Sequence, residues 1–558
     1  MTLAVRTRPV ARWLAPPAPD PDVVAALAAE LRLPPLVSTL LVARGCHDAE
    51  SARRYLRPRL DHLHPPLAMR GMDRAVERLV AAIRKREPIL VHGDYDVDGM
   101  CSTTILVRTI RHLGGQAIPF IPHRLRDGYD LTEAGVRAAV AHGARVVVTC
   151  DCGTVAHAAV GDLVRQGIDV IISDHHLPGG PPPECTAVLN PRLPENEYPD
   201  KDLCAAGVAF KLAIALLEAL GASVNVAYNL LDLVALATIA DVAPLRGENR
   251  VMVRYGLKLM HESRTLGLRA LIAAIGLEGK ELNAGRVAYL LAPRLNAAGR
   301  LGEPMRGVEL LLATEPAEAN RIARELEELN RTRHAMDREI LDAARRLAEG
   351  LDQDSTYGIV LGAEGWHPGV IGIVASRLVE ELYRPVVLIA VDDGIGKGSG
   401  RSIPPFDLHA GLAACADLLS RFGGHRAAAG LTIDADRIPA LAERFNQVAQ
   451  ERLAADDLTP QLRLDLEVPL NLANGELETL LRYFEPYGVG NPAPMLVSRG
   501  VRVHGPPRVV GQTGLKLRFT DGAAMLDGLW WSAAERAADF PPLATVDVAY
   551  RLERDEYN

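Results

Sequence analysis

The chain has 558 residues, of which 48% are hydrophobic and 24% charged, and a formal net charge of −8. That length exceeds what one hydrophobic core supports, so three or four domains are expected, and the composition is that of a folded soluble protein. The acidic balance argues against bulk electrostatic coating of nucleic acid and leaves a local basic groove open.

The seven cysteines, Cys46, Cys101, Cys150, Cys152, Cys185, Cys204 and Cys415, are scattered and form no C-x-x-C pair, which fits a reducing intracellular compartment. Arg6, Arg8 and Arg12 precede a proline-rich stretch with no uninterrupted apolar region behind it, so no secretory signal is expected. The apolar run 228–239 is broken by Asp232 and too short for a bilayer. A cytoplasmic protein is the expectation.

Residues 1–80 read as a helical segment without assigned chemistry. Apolar residues fall at helical spacing over 23–31 and 72–83, around a proline-bearing linker at 58–66. From residue 88 the pattern alternates. An apolar run, 89–91, ends in His92-Gly93-Asp94-Tyr95-Asp96-Val97-Asp98-Gly99. These acids do not make a core strand, because buried unpaired carboxylates are costly. Period-two spacing with turns at Gly93 or Gly99 would swing several of them inward, as half of a metal site. A helix over 101–113 and an apolar run at 117–121 follow, and Asp130-Leu131-Thr132-Glu133 reads as a capping box opening another helix.

A strand at 145–149, a helix at 155–166 and a strand at 170–173 complete an alternation that predicts a parallel sheet with helices on its faces. Ligands bind such sheets beyond the carboxyl ends of the strands. Three of those ends carry ligand-type residues: the His92 cluster, Cys150-Asp151-Cys152, and Asp174-His175-His176. An apolar helix, 230–240, runs into Asp241, with Pro244 ending it. Taken singly, Asp151 is also a helix cap, His175-His176 a surface or core pair, and the two thiols small core residues. Their coincidence at one edge points to a site.

The order His92-xxx-Asp96-x-Asp98, Asp151, Asp174-His175-His176, Asp241 resembles the four motifs of the DHH phosphoesterase superfamily. The strings 93–99 and 122–129 look like its RecJ branch, exonucleases that degrade single-stranded DNA from the 5′ end. The resemblance implies two cations, with His92, Asp96 and Asp151 holding one and Asp98, Asp151, His175 and Asp241 the other. Asp151 is then the bridge, and His176 contacts the scissile phosphate. Asp94 and Asp174 are either ligands or groups that orient them. Carboxylates and imidazoles without thiolate suit Mn²⁺ or Mg²⁺.

Further along, Arg294-Leu295-Asn296-Ala297-Ala298-Gly299-Arg300 reads as a turn approaching phosphates, or as an exposed basic turn. The resemblance favours substrate contact by Arg294, Asn296 and Arg300, and by Arg124 in the 122–129 string. A long helix from Thr314 to about Ala348 carries an apolar stripe interrupted by Arg333, which suits a strut between domains better than a coiled-coil seam. Next come apolar runs at 359–361 and 386–391 bracketing a helix at 371–383. Two Gly-rich turns, 396–402 and 423–430, are separated by a helix at 408–419. Ser399, Arg401, Gly424 and His425 are candidates for gripping phosphate, and Gly-Gly-His resembles the DHH-associated domain. Past 462, short alternating runs predict a small β-barrel in which Phe519, Trp530 and Trp531 stack bases and Lys516 and Arg518 track the backbone. Adjacent Trp530 and Trp531 point to opposite faces of a strand, so one belongs to the core.

The expected architecture is multidomain α/β. It comprises a helical segment (1–80), a parallel-sheet DHH catalytic domain (81–310), a long connecting helix (311–350), a second α/β DHH-associated domain (351–460) and an OB-fold-like β-barrel (461–558). The resemblance implies a metal-dependent 5′ to 3′ exonuclease for single-stranded DNA in repair and recombination. It implies a monomer, with a helicase and a single-strand-binding protein as partners. Two rivals are a DHH enzyme for oligoribonucleotides, cyclic dinucleotides or pyrophosphate, which needs no C-terminal barrel, and a non-catalytic replication scaffold, which needs no metal ligands.

Overall fold

The computed structural model describes residues 10–15, 18–352 and 354–554; Arg6 and Arg8 lie outside them. The chain forms two compact units, a larger one (Ala15–Gly299, Glu303–Arg324, Arg463–Asn558) and a smaller one built mainly from Glu325–Leu462.

The larger unit centres on a five-stranded parallel sheet. Its strands are β1 (Pro88–Gly93), β2 (Gln116–Phe120), β3 (Val146–Cys150), β4 (Asp169–Ser173) and β5 (Ala187–Leu189), in the order β2-β1-β3-β4-β5. Helices α1 (Val97–His112), α2 (Glu133–Ala141) and α3 (His157–Arg165) make the crossovers. Nearly every residue of α1 is buried, and it packs against α4 (Ala205–Ala219) and α5 (Leu231–Ala240). Three of its buried hydroxyls are satisfied within the helix, Ser102, Thr104 and Thr109 donating to the carbonyls of Asp98, Met100 and Ile105 at 2.7–2.8 Å. Next comes α6 (Gly247–Met260); α7 (Ala292–Leu301) follows a π-helical turn at Val287–Leu291.

The two chain ends share a core. Helices Pro21–Leu31, Pro35–Ala43 and Ala49–Leu56 pack Leu27, Leu40, Leu41 and Ala52 against Leu477, Leu481, Phe484 and Leu496 from beyond residue 463. Arg250 of α6 joins this junction. Its guanidinium donates to the carbonyls of Tyr55, Tyr483, Glu485 and Pro486 and lies 4.2 Å from the Tyr55 ring centroid. No single helix among the described residues is long and apolar enough to cross a membrane.

The long helix α8 (Pro316–Glu349) buries Ile322, Leu326 and Ile340, whereas Leu347 at the end of the anticipated stripe is exposed. A strict 3.5-residue stripe drifts around a 3.6-residue helix. Arg333 does not interrupt packing, because Asn330 and Asp337 are buried beside it.

In the smaller unit, β6 (Ile359–Glu364), α9 (Ile371–Leu382), β7 (Val386–Asp392), β8 (Ile395–Arg401), α10 (Leu408–Ala413), β9 (Arg421–Gly424) and β10 (Ala428–Asp434) form a mixed sheet ordered β9-β10-β8-β7-β6. Two expectations are corrected here. The stretch 396–402 is mostly strand β8, with Gly396, Gly398 and Gly400 tight against Ile389, Leu431 and Leu408, and the helix expected to Leu419 ends at Ala413.

The C-terminal module of the larger unit has strands β11 (Leu466–Glu467), β12 (Leu496–Val503), β13 (Arg508–Val510), β14 (Gly514–Thr520), β15 (Met525–Trp530) and β16 (Thr545–Tyr550). The sheet order is β11-β12-β14-β13, with β15 on β14 and β16 on β12. Strand β12 is bulged between Ser498 and Val501.

Candidate metal centre

The sheet's carboxyl edge gathers the acids. β1 ends at Gly93, where a Cβ would meet Thr103 Oγ1 at 2.1 Å, so only glycine lets the chain turn there. Asp96 then caps α1, accepting from the amides of Asp98 (2.9 Å) and Gly99 (3.1 Å). The helix therefore starts at Val97, and period-two spacing holds only as far as the strand. Asp151 follows β3 in the left-handed region, φ 68°, with its amide on the Ser173 carbonyl at 3.0 Å. Asp174, His175 and His176 follow β4, and Asp241 ends α5.

Three sets of ligand atoms lie within 4.8 Å of one another: Asp94, Asp96 and Asp151; Asp98, His175 and Asp241; and Asp151, His175 and His176. His175 Nε2 is 3.0 Å from Asp151 and 3.7 Å from both Asp98 and Asp241. Asp151 and His175 each belong to two sets. Burial first, and then mutual repulsion, pushes these carboxyls up: Asp98 to about 7, Asp241 to about 8, Asp94 and Asp151 well above the ordinary range. This holds for Asp98 even though both its oxygens accept helix amides, from Ala205 and Ala206 at 2.8 Å. Burial lowers His175 to about 3, so its imidazole is neutral.

A cluster of buried carboxylates beside a neutral imidazole is a donor set for hard divalent cations, which would supply the charge it lacks. An Asp94 carboxylate oxygen is buried with no hydrogen-bond partner, as expected of an atom reserved for a ligand. The residues fit a pair of Mn²⁺ or Mg²⁺ ions.

His92 stands apart from this gathering. It belongs to none of the three sets; its Nδ1 faces the Cys152 sulfur at 3.5 Å, and its Nε2 edge lies against Gly135, where a Cβ would be 2.8 Å away. His92 Nε2, like the Asp94 oxygen, is buried with no hydrogen-bond partner. Asp174 is an orienting group: it accepts from the amides of Thr154 and His175 and from His176 Nδ1 at 2.8 Å. Burial alone would lower His176, but the Asp174 partner outweighs it and raises the ring to about 9. Asp130 does not cap α2; its carboxylate accepts from the Leu131 and Gly153 amides, at φ 77°.

Sequence reasoning missed Tyr129, whose hydroxyl is 3.1 Å from His176 Nε2, and Asn190, whose amide donates to the His176 carbonyl at 2.9 Å. Asn190 follows β5, a strand of three residues that is too short for periodicity to reveal.

Among the substrate candidates, Arg294-to-Arg300 is corrected from turn to helix α7. Asn296 Oδ1 accepts from Val97 N at 3.2 Å, which holds the start of α1, while Arg294 and Arg300 donate to the Leu290 and Gly369 carbonyls. Arg124 lies 4.9 Å from the Tyr95 ring centroid. In the smaller unit Arg401 donates to Ser399 Oγ at 3.2 Å, and both crowd Gly372 in the first turn of α9. Gly424, at φ 142°, leaves no room for a Cβ beside Ala428, and His425 is exposed in the β9–β10 turn.

In the C-terminal module, Phe519 is corrected from a stacking residue to a core residue, packed with Val503, Leu515 and Leu517. Trp530 and Trp531 are both exposed, because β15 ends between them. Lys516 and Arg518 pair with Asp527 at 3.0 and 2.6 Å. A groove of about 1150 Å³ beside Asp241 is lined by Val242, Arg254, Lys258, Tyr289 and Tyr483.

Comparison with known proteins agrees with this geometry. Residues 88–238 match the DHH family N-terminal domain, 355–451 the DHHA1 domain and 464–558 the RecJ OB domain. The chain is 36% identical to the single-stranded-DNA-specific exonuclease RecJ of Escherichia coli, over 96% of this chain and 95% of that protein. It is also 36% identical to RecJ of Bacillus subtilis, over 97% and 68%. The crystal structure of Thermus thermophilus RecJ in complex with Mn²⁺ is similar, with a TM-score of 0.85, 35% identity, and coverage of 98% of this chain and 77% of that one. The same protein is known in complex with Mg²⁺, with a TM-score of 0.79.

Proposed function

The chain belongs to the RecJ family of single-stranded-DNA-specific exonucleases, and from that premise we infer that it hydrolyses single-stranded DNA, releasing nucleotides in the 5′ to 3′ direction in repair and recombination. The observation that carries the reading is the shared set of ligands, with Asp151 and His175 each common to two groups. Asp94, Asp96 and Asp151 would hold one cation, and Asp98, Asp151, His175 and Asp241 the other. When bound, such a pair lowers the pKa of water and neutralises charge on a phosphate during in-line displacement.

The protein's own groups prepare that step. Asp98 is fixed by two helix amides, and Asp151 by its left-handed backbone. His176, charged at neutral pH through Asp174, presents Nε2–H to a non-bridging phosphate oxygen in place of the Tyr129 hydroxyl it now meets. Ser399 and Arg401 beside the α9 N-terminus form an anion grip suited to a backbone phosphate. The groove beside Asp241 offers aromatic faces and cations to the rest of the strand, and Trp531 offers a further face for stacking.

We assign the protein to the cytoplasm as a monomer, receiving single strands from a helicase and a single-strand-binding protein. The C-terminal module, matched to the RecJ OB domain, speaks against a small-molecule phosphoesterase. The filled ligand set speaks against a scaffold. Digestion of a single-stranded oligonucleotide labelled at either end, with Mn²⁺ and with Mg²⁺, tests the reading. Release of the 5′ label as mononucleotide is expected; first release of the 3′ label, or equal attack on duplex, would overturn it.

A further inference from the structure

Asp241 differs from the other ligands in how its backbone is held. Asp241 is the residue that caps the end of α5 and, like Asp96, is only partly buried, whereas Asp94, Asp98, Asp151 and His175 are buried. The next residue, Val242, is β-branched yet adopts φ 59°, with 61% of its surface exposed. Left-handed valine is strained and persists only where its surroundings over-determine it. The helix end supplies three bonds, Asp241 N to the Ala237 carbonyl, Val242 N to the Ile239 carbonyl and Ala243 N to the Thr238 carbonyl. Asn249 Nδ2 adds a bond to the Pro244 carbonyl at 3.1 Å, and further constraints come from more than two hundred residues downstream.

The segment 487–492 of the C-terminal module clasps the chain just past Asp241. Leu245 N donates to the Val489 carbonyl at 2.7 Å, and Arg246 Nε to the Gly490 carbonyl at 2.8 Å. The fit leaves no space. A Cβ on Gly488 would be 2.7 Å from Leu245 Cδ1, and one on Gly490, already at φ 73°, would be 3.0 Å from Pro244 Cβ. The clasp is itself held rigidly. Asn491 donates to the Phe484 and Pro486 carbonyls at 2.8 Å and accepts from the Tyr55 hydroxyl at 2.6 Å, and Arg44 donates to the Pro492 carbonyl at 2.7 Å. Arg250 fastens the carbonyls at 483, 485 and 486.

We propose that this clasp is a positioning element of the metal centre, holding the backbone after Asp241 so that its carboxylate meets Asp98 and His175. The C-terminal module thereby acts on cation binding as well as on the strand. The inference rests on Asp241 being a ligand, so its test includes a control for that reading.

The test is calorimetric titration of the full-length protein with Mn²⁺, comparing Gly490→Ala, Arg246→Ala and Asp241→Asn with wild type. Displacing a group that orients a ligand weakens metal binding about 10- to 100-fold. Gly490→Ala should therefore weaken one Mn²⁺ site about tenfold, and activity lost at limiting Mn²⁺ should return at saturation. Arg246 is exposed and removes one bond without disturbing the fold, so Arg246→Ala should show a smaller shift of the same sign even if Gly490→Ala does not fold. Unchanged Mn²⁺ affinity in Arg246→Ala and in folded Gly490→Ala, while Asp241→Asn loses a site, overturns the positioning role. Unchanged affinity in Asp241→Asn overturns the assignment of Asp241 itself.

Discussion

A Cβ at Gly299 would sit 2.0 Å from the Tyr95 carbonyl oxygen, because α7 lies directly against the acidic loop. Asn296, one turn earlier on the same helix, bonds Val97 N. Gly299→Ala therefore forces helix and loop apart by about 1.4 Å before ordinary contact is restored. In an open helix the exchange would stabilise by about 1 kcal/mol. Overpacking here costs about 1–3 kcal/mol, so net stability falls by no more than about 2 kcal/mol. The geometric consequence is larger. Tyr95 stands between Asp94 and Asp96, and misplacing reacting groups by about 1 Å costs on the order of 100-fold in rate. Steady-state cleavage of a single-stranded oligonucleotide at saturating Mn²⁺ should show that loss in kcat, while urea unfolding shows the small stability change. Turnover within about threefold of wild type would refute the reasoning, because it would mean the loop tolerates displacement.

The metal-free protein should lose stability as pH rises. Asp98 and Asp241 keep their protons to about 7 and about 8 in the fold, whereas the unfolded chain releases them near pH ~4. The native state thus binds more protons across that window, and its stability is present below the lower limit and lost towards the upper. Melting temperatures should fall accordingly, and Mn²⁺ should raise them more at about pH 8 than at about pH 5.5; equal increments would contradict the cluster's electrostatics. His176→Ala should lower turnover while calorimetry still finds both ions, and Asp174→Asn should reproduce much of that loss; a missing ion would make His176 a ligand instead. In the C-terminal module, Phe519→Ala should cost about 3–5 kcal/mol of stability. Trp531→Ala should leave stability intact and weaken strand binding by about 1–3 kcal/mol, seen by fluorescence anisotropy, and unchanged anisotropy would remove Trp531 from the strand's path.

Much of the catalytic unit is legible in the sequence because parallel strands buried on both faces read as apolar runs, and the residues just past them must face solvent or a ligand. That logic located Asp94, Asp96, Asp98, Asp151, His175 and His176 at one edge, and Asp241 was found at the end of an apolar helix and through the family resemblance. His92 is the last side chain of its strand, buried with its Nε2 edge against Gly135. Gly-rich stretches were misread for a single physical reason: glycine marks close approach as well as turns. In β8 the glycines admit Leu431 and Leu408, and in α7 Gly299 admits the Tyr95 carbonyl. Long-range pairing was invisible. Nothing in residues 21–56 signals that their core partners are Leu477, Phe484 and Leu496, so cutting the chain near residue 460 would strip the N-terminal helices of their core as well as removing a strand-binding surface. The clasp at 487–492 escaped notice for the same reason.

The central claim is a two-cation centre built around a shared Asp151. It is tested most directly by the turnover of Asp151→Ala on a single-stranded oligonucleotide at saturating Mn²⁺, measured on protein shown to bind the strand. No detectable cleavage with strand binding retained is the expected result. Cleavage at a rate near that of the unaltered protein would contradict it.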